Sequence, residues 1–281
     1  MVETSSRSLV LVTGATGGVG QLVVANLLEQ GYPVRALTRS AEKVRSLFDN
    51  RVEPIVGDIR QPETLPPAMA GIDALICATG TTAFPSQRWE VDFPSKQAPW
   101  DSAIAWARLF TNADYRQNHT HNSPYQVDAV GVANLVAAAP RSLRRFVFIS
   151  SVGIERKNQF PFSALNAFGV LEAKQAGEQA IQQSGLPYTI IRPGRLIDGP
   201  YTSYDLNTLI QAKTNGKRGV VIGQGDTLSG DASRIDVAAA CVACLQSAAT
   251  SNQTFELVNQ GKRPANLDWN ALFNSLSPVP V

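Results

Sequence analysis

Apolar runs and amphipathic stretches alternate along most of this chain in a strand-then-helix order. Leu9-Val10-Leu11-Val12 is an apolar run of strand length, and Val19, Leu22, Val23 and Leu27 then recur at helical spacing. Gly31 stops that predicted helix, and Tyr32 to Thr38 reads as a second strand. Further strands are predicted over Val52 to Val56, Ile72 to Cys77, Arg145 to Ile149, Tyr188 to Arg192 and Thr254 to Val258. Helical spacing returns around 127–135, again around Lys174 as far as Ser184-Gly185, then over Ile235 to Leu245 and Leu267 to Leu276. The pattern predicts an α/β chain: a doubly wound, mostly parallel sheet of about seven strands in one domain spanning residues 1–281.

The pattern breaks after the fourth predicted strand. From about Thr81 to Pro124 there is no long periodic segment, only a short predicted helix from Asp101 to Phe110, yet the stretch carries Phe84, Trp89, Phe93, Trp100, Trp106, Phe110 and Tyr115. So many aromatic residues argue for an ordered excursion at the C-terminal edge of the sheet. It reads as a lid over a substrate, a docking surface for a protein partner, or a satellite cluster packed on itself. His119 and His121 lie here without a neighbouring acidic or cysteine ligand pattern; they read as surface residues, and no metal site is expected. A second irregular region, about 193–233, is the expected substrate-side region near the C-terminus.

Composition narrows the function classes. A net charge of +2 with 17% charged residues gives no strong field for nucleic acid or a membrane surface. Neither a basic-then-apolar leader nor a run of roughly 20 apolar residues is present, so a cytoplasmic protein without a membrane span is expected. Three cysteines do not form a disulfide framework, and Cys241-Val242-Ala243-Cys244 sits in an alanine-rich apolar helix, where it reads as two small buried side chains. Specific binding has to come from a pocket.

The chemistry concentrates at the first strand-to-helix turn, Thr13-Gly14-Ala15-Thr16-Gly17-Gly18-Val19-Gly20. Glycines allow a tight turn and close approach of backbone amides to a phosphate, and the helix that follows offers unpaired N–H groups and the positive end of its dipole. Gly14, Thr16, Gly17, Gly18, Val19 and Gly20 therefore read as a pyrophosphate cradle. An NAD site wants an acidic residue about 20 positions later; this chain offers Thr38-Arg39-Ser40 and Lys43 instead. A guanidinium binds a 2′-phosphate that a carboxylate repels, so Arg39, Ser40 and Lys43 predict NADP(H). Asp58, beside Ile59, reads either as an acceptor for the adenine amino group or as the start of the turn before Pro62. Ala78, Thr79 and Gly80 are small where a ribose needs close backbone approach, while Ser150, Ser151 and Pro193 end strands at the edge where such sheets place ligands.

With these landmarks placed, the chain resembles the atypical short-chain dehydrogenases/reductases. The resemblance rests on the glycine turn, Gly57-Asp58-Ile59, Phe148-Ile149-Ser150-Ser151, Ile191-Arg192-Pro193-Gly194, Ser233-Arg234-Ile235-Asp236-Val237-Ala238 and Phe255-Glu256-Leu257-Val258. Leu165-Asn166-Ala167-Phe168-Gly169 to Glu178, Tyr188 to Gly194 and Gly225 to Leu228 are similar to NADP-binding proteins of plastids and cyanobacteria, some of them reductases and others that bind ferredoxin–NADP reductase or assist photosystem assembly. The resemblance implies a Rossmann-type fold, a soluble place in the cytoplasm or at the periphery of a photosynthetic membrane, and either reduction of a bulky apolar acceptor or docking of a protein partner at 81–124. It also puts Ser151 and Lys174 at catalytic positions, but Val170 stands where the family carries its proton-donating tyrosine. Three substitutes are open: a tyrosine from elsewhere (Tyr115, Tyr125 or Tyr201), Lys174 acting alone, or an acceptor such as a flavin or quinone that needs no acid.

Overall fold

The computed structural model describes residues 8–85, 89–92, 99–198 and 217–277, with 99–102 as backbone alone. Phe93, Tyr201 and residues 199–216 of the substrate-side region lie outside the described residues, as does the side chain of Trp100.

Strands β1 (Val10–Thr13), β2 (Val34–Thr38), β3 (Glu53–Val56), β4 (Ala74–Cys77), β5 (Arg145–Ile149) and β6 (Tyr188–Pro193) lie parallel in the order 3-2-1-4-5-6. Two short strands, β7 (Arg195–Ile197) and β9 (Asp231–Ser233), pair apart from this sheet. Between them in sequence runs β8 (Arg218–Gly223), and β10 (Gln253–Lys262) follows. β10 joins β6 in parallel, and β8 closes the sheet antiparallel to β10, giving eight strands where the pattern predicted about seven. The extra strand is β8, whose Val220-Val221-Ile222 is too short a run between glycines to stand out by periodicity.

Helices α1 (Gly18–Glu29), α2 (Ala41–Leu47) and α3 (Pro66–Met69) fall in the first half. The excursion folds into α4 (Pro99–Thr111) and α5 (Ala113–His119), more helix than the one short segment expected. The helix predicted around 127–135 opens as a π-helix, Tyr125–Gly131, and continues as α6 (Val132–Ala138). After these come α7 (Phe162–Leu165), α8 (Val170–Gln183), α9 (Arg234–Ala243) and α10 (Trp269–Asn274).

Alternation along the strands divides the core into two layers. Val10, Val12, Ile76 and Val147 pack with Leu22, Val23 and Leu27 of α1 and Val237 and Cys241 of α9. Leu11, Leu75, Phe146 and Phe148 turn to the other face, against Val132 and Leu135 of α6 and Ile181 of α8. Cys241 and Cys244 are both fully buried, and burial pushes the Cys244 thiol up to about 12. That is the behaviour of two small packing residues.

Candidate functional site

The C-terminal ends of β1, β2, β4, β5 and β6 open into one cleft of about 1300 Å³, lined by every member of the glycine turn from Thr13 to Val19. Gly14 has φ +72°, and a Cβ on it would stand 2.6 Å from the Ala78 carbonyl oxygen; one on Gly20 would stand 2.0 Å from the Gly14 oxygen. No side chain could replace them without opening the turn. α1 starts without a side-chain cap and without an acidic residue in its first turn, so its first N–H groups and dipole are left for an anion. The buried Arg234, at the start of α9, covers the same place: its Nε lies 3.2 Å from where a Gly18 Cβ would be.

Toward the outer end, Arg39 lines the cleft, whereas Ser40 and Lys43 are not among its lining residues. Ser40 caps α2, its hydroxyl accepting the Lys43 amide at 3.4 Å. Asp58 starts a turn by accepting the Arg60 amide at 3.0 Å, and its carboxylate is also held by the Arg60 guanidinium at 2.6 Å. Burial works against the charge on Asp58, but the Arg60 hydrogen bonds outweigh it and hold the carboxyl below its usual range.

At the inner end stands Lys174. Its Nζ lies 2.8 Å from Asp128 Oδ1, donates to the Ile149 carbonyl at 2.9 Å, and sits 4.9 Å from the centre of the Phe148 ring. Asp128 comes from the π-helix and is completely buried; burial raises its pKa, with Lys174 and the Thr81 amide opposing the rise. Close contact between α8 and this π-helix is possible because residue 177 is glycine: a Cβ there would come within 2.4 Å of the Asp128 carbonyl oxygen. Ile59, Ala78, Thr79, Gly80, Ser150, Ser151 and Pro193 all line the cleft. Ser151 donates to the Val152 carbonyl at 3.0 Å, while the buried Ser150 hydroxyl has no hydrogen-bond partner among the described residues. Val170 forms part of an apolar wall with Ile154, Leu171, Ala83, Phe162 and Leu165.

Residues 14–248 match the NAD(P)H-binding family. The chain belongs to that family. It is 30% identical to sanguinarine reductase of Eschscholzia californica over 99% of both chains. It is 29% identical to the photosystem II assembly factor Ycf39 of Trieres chinensis over 89% of this chain and 63% of that one. Among solved structures, the oxidoreductase ylbE of Lactococcus lactis superimposes with a TM-score of 0.63 at 19% identity, covering 95% of this chain and 96% of that one, which shows the Rossmann-like fold.

The residues of this NAD(P)H-binding chain fit a dinucleotide. The glycine turn lines the cleft with backbone too closely packed to admit a Cβ, α1 and Arg234 place positive charge beside it, and the buried Ser150 hydroxyl at the strand edge has no partner among the described residues. Of the substitute tyrosines, Tyr115 stacks on His119 at 3.9 Å and Tyr125 is exposed; among the described residues no tyrosine lines the cleft. The excursion divides its aromatics between two jobs. Phe84, Trp89 and Phe110 converge on Phe168, just before α8, with ring centres 5.8, 6.1 and 5.1 Å away, so the excursion packs onto the body of the protein rather than only on itself. Phe84 also lines the cleft, whereas Ile104, Trp106 and Phe110 expose much of their surface on α4.

Sequence reasoning missed Asp128, Arg60, Glu90 and Arg234 as site residues. Asp128 had left a signal: a carboxylate inside the apolar stretch Val127 to Val132 needs a buried cation, and Lys174 was the one already singled out.

Proposed function

We propose that this chain is an NADPH-dependent reductase of a bulky, mostly apolar acceptor of the flavin, quinone or aromatic carbonyl kind, with Lys174 doing the work a tyrosine does in relatives that carry one. The observation that carries this reading is the buried Lys174–Asp128 pair at the inner end of a cleft whose adjacent wall is apolar. An ammonium has three donors; Asp128 and the Ile149 carbonyl take two, which leaves a third N–H for the carbonyl or ring oxygen of an acceptor. Asp128 keeps that ammonium oriented, and Val170, Phe162, Leu165 and Phe84 exclude water from the acceptor's face. A bound nicotinamide supplies the hydride. At the diphosphate the α1 N-terminus and Arg234 carry the charge, and Arg39 answers the 2′-phosphate. The likeness to a reductase along essentially the whole of both chains supports this reading.

The test is NADPH oxidation by the purified protein with flavin, quinone and aromatic carbonyl acceptors, beside Lys174→Ala. Turnover that falls at least about 100-fold in the variant while NADPH still binds is the expected result, general acid groups being worth that much. Tight NADPH binding with no turnover on any acceptor overturns it.

That outcome would favour a second reading, a non-catalytic NADP(H)-binding protein that senses redox state or assists assembly while α4 meets a protein partner. It rests on the exposed Ile104, Trp106 and Phe110 and on the likeness to an assembly factor, and it suits a place at the periphery of a photosynthetic membrane.

A further inference from the structure

The outer end of the cleft holds a continuous row of alternating charges. Arg60 grips both carboxylate oxygens of Asp58, with Nε 3.0 Å from Oδ1 and Nη2 2.6 Å from Oδ2. Its Nη1 reaches on to Glu90 Oε2 at 3.2 Å, and the second oxygen of Glu90 takes Nη1 of Arg39, also at 3.2 Å. Glu90 therefore bridges two guanidinium groups, and all four residues line the cleft.

Glu90 is held there by its backbone. It has φ +51°, a left-handed conformation that disfavours a side chain of its kind. Its carbonyl accepts the His121 amide at 3.2 Å and the Trp89 carbonyl accepts the Asn122 amide at 2.9 Å, while the fully buried Trp89 indole donates to the Thr82 carbonyl at 3.1 Å. The main chain is pinned on both sides, whereas the carboxylate is 47% exposed and held only by the two arginines. Arg39, itself 62% exposed, can follow a ligand. Arg60 is fixed by Asp58 and by its donation to the His121 carbonyl.

Two guanidinium groups spanned by one small anion make a site for a doubly charged oxyanion. We propose that Glu90 is a specificity-determining residue, an internal carboxylate that occupies the Arg39–Arg60 site and competes there with the 2′-phosphate of NADP(H). In place, it accepts a hydrogen bond from a free 2′-hydroxyl, which suits NADH; swung out, it leaves the arginine pair to the phosphate. Glu90 thus narrows the preference for NADPH over NADH. Arg60 becomes a second phosphate ligand beside Arg39. The inference rests on the reading that this cleft takes a nicotinamide dinucleotide.

The experiment is calorimetric titration of NADPH and NADH into the wild type, Glu90→Gln, Glu90→Ala and Arg60→Ala. Both Glu90 variants should bind NADPH about two- to tenfold more tightly, the scale of exposed ion pairs, without tightening NADH, and the gain should shrink at high salt. Arg60→Ala should weaken NADPH more than NADH. A ratio of the two affinities that stays at its wild-type value in both Glu90 variants overturns the inference while leaving the dinucleotide reading intact. A wild type that binds neither nucleotide overturns both.

Discussion

Helix α8 carries two buried ion pairs one turn apart, and they are built differently. Glu178 is not among the residues lining the cleft, and both its oxygens are filled by the Arg192 guanidinium, at 2.9 and 2.6 Å, which also reaches Glu155 at 3.1 Å. Burial works against the charge on Arg192, but Glu178 more than restores it, and the guanidinium is held above its ordinary range. At the cleft, Asp128 meets a single ammonium on one oxygen, and burial leaves its carboxyl raised in spite of Lys174. The fork is closed and serves the fold. The ammonium keeps bonding capacity in hand, which serves a ligand.

Glu178→Ala tests the closed pair most severely. It leaves the buried Arg192 guanidinium with only the half-exposed Glu155 as an ionic partner, so urea denaturation should show a loss of about 3 kcal/mol, and a loss under about 1 kcal/mol would break the comparison. Gly177→Ala strikes between the pairs by driving a methyl group into the Asp128 carbonyl. Overpacking should cost about 1–3 kcal/mol, and reductase turnover should fall with it as Lys174 is drawn away from Asp128. Lys174→Met should have the smallest effect on stability, because Asp128 can take up a proton when its counter-charge goes. Burial raises the Asp128 pKa above 3.8 even beside Lys174, so between 3.8 and the raised value the folded protein holds a proton that the unfolded chain has released. Stability of the variant is therefore greatest below 3.8 and declines as pH rises through the raised value. Urea midpoints measured across pH should decline more steeply in Lys174→Met than in the wild type; parallel profiles would mean that Lys174 does not hold Asp128 ionised.

The parts that were legible in the sequence are those written locally. The glycine turn, the seven apolar strands and the buried cysteines each declare themselves within a dozen residues, and Lys174 was reached through the resemblance. Partners joined by tertiary contact were not legible: Lys174 meets Asp128 across 46 positions, and Arg60 meets Glu90 across 30. Helix α4 was legible as Asp101 to Phe110, inside the observed Pro99–Thr111, with Ala105 and Leu109 facing inward one turn apart; α5, seven residues with none of them buried, has no apolar stripe to read. β8 is recognised only by its partner, since its pairing with β10 supplies the order that its own short run lacks.

At the far end of the sheet, β3 is the edge strand, only four residues long, and it reads Glu53-Pro54-Ile55-Val56. Proline contributes no N–H, and the charge on Glu53 resists close apposition of a second identical strand. A long parallel sheet with an open margin would template its own polymerisation. At β3 that margin is short and poor in donors, which leaves a second copy little to pair with there.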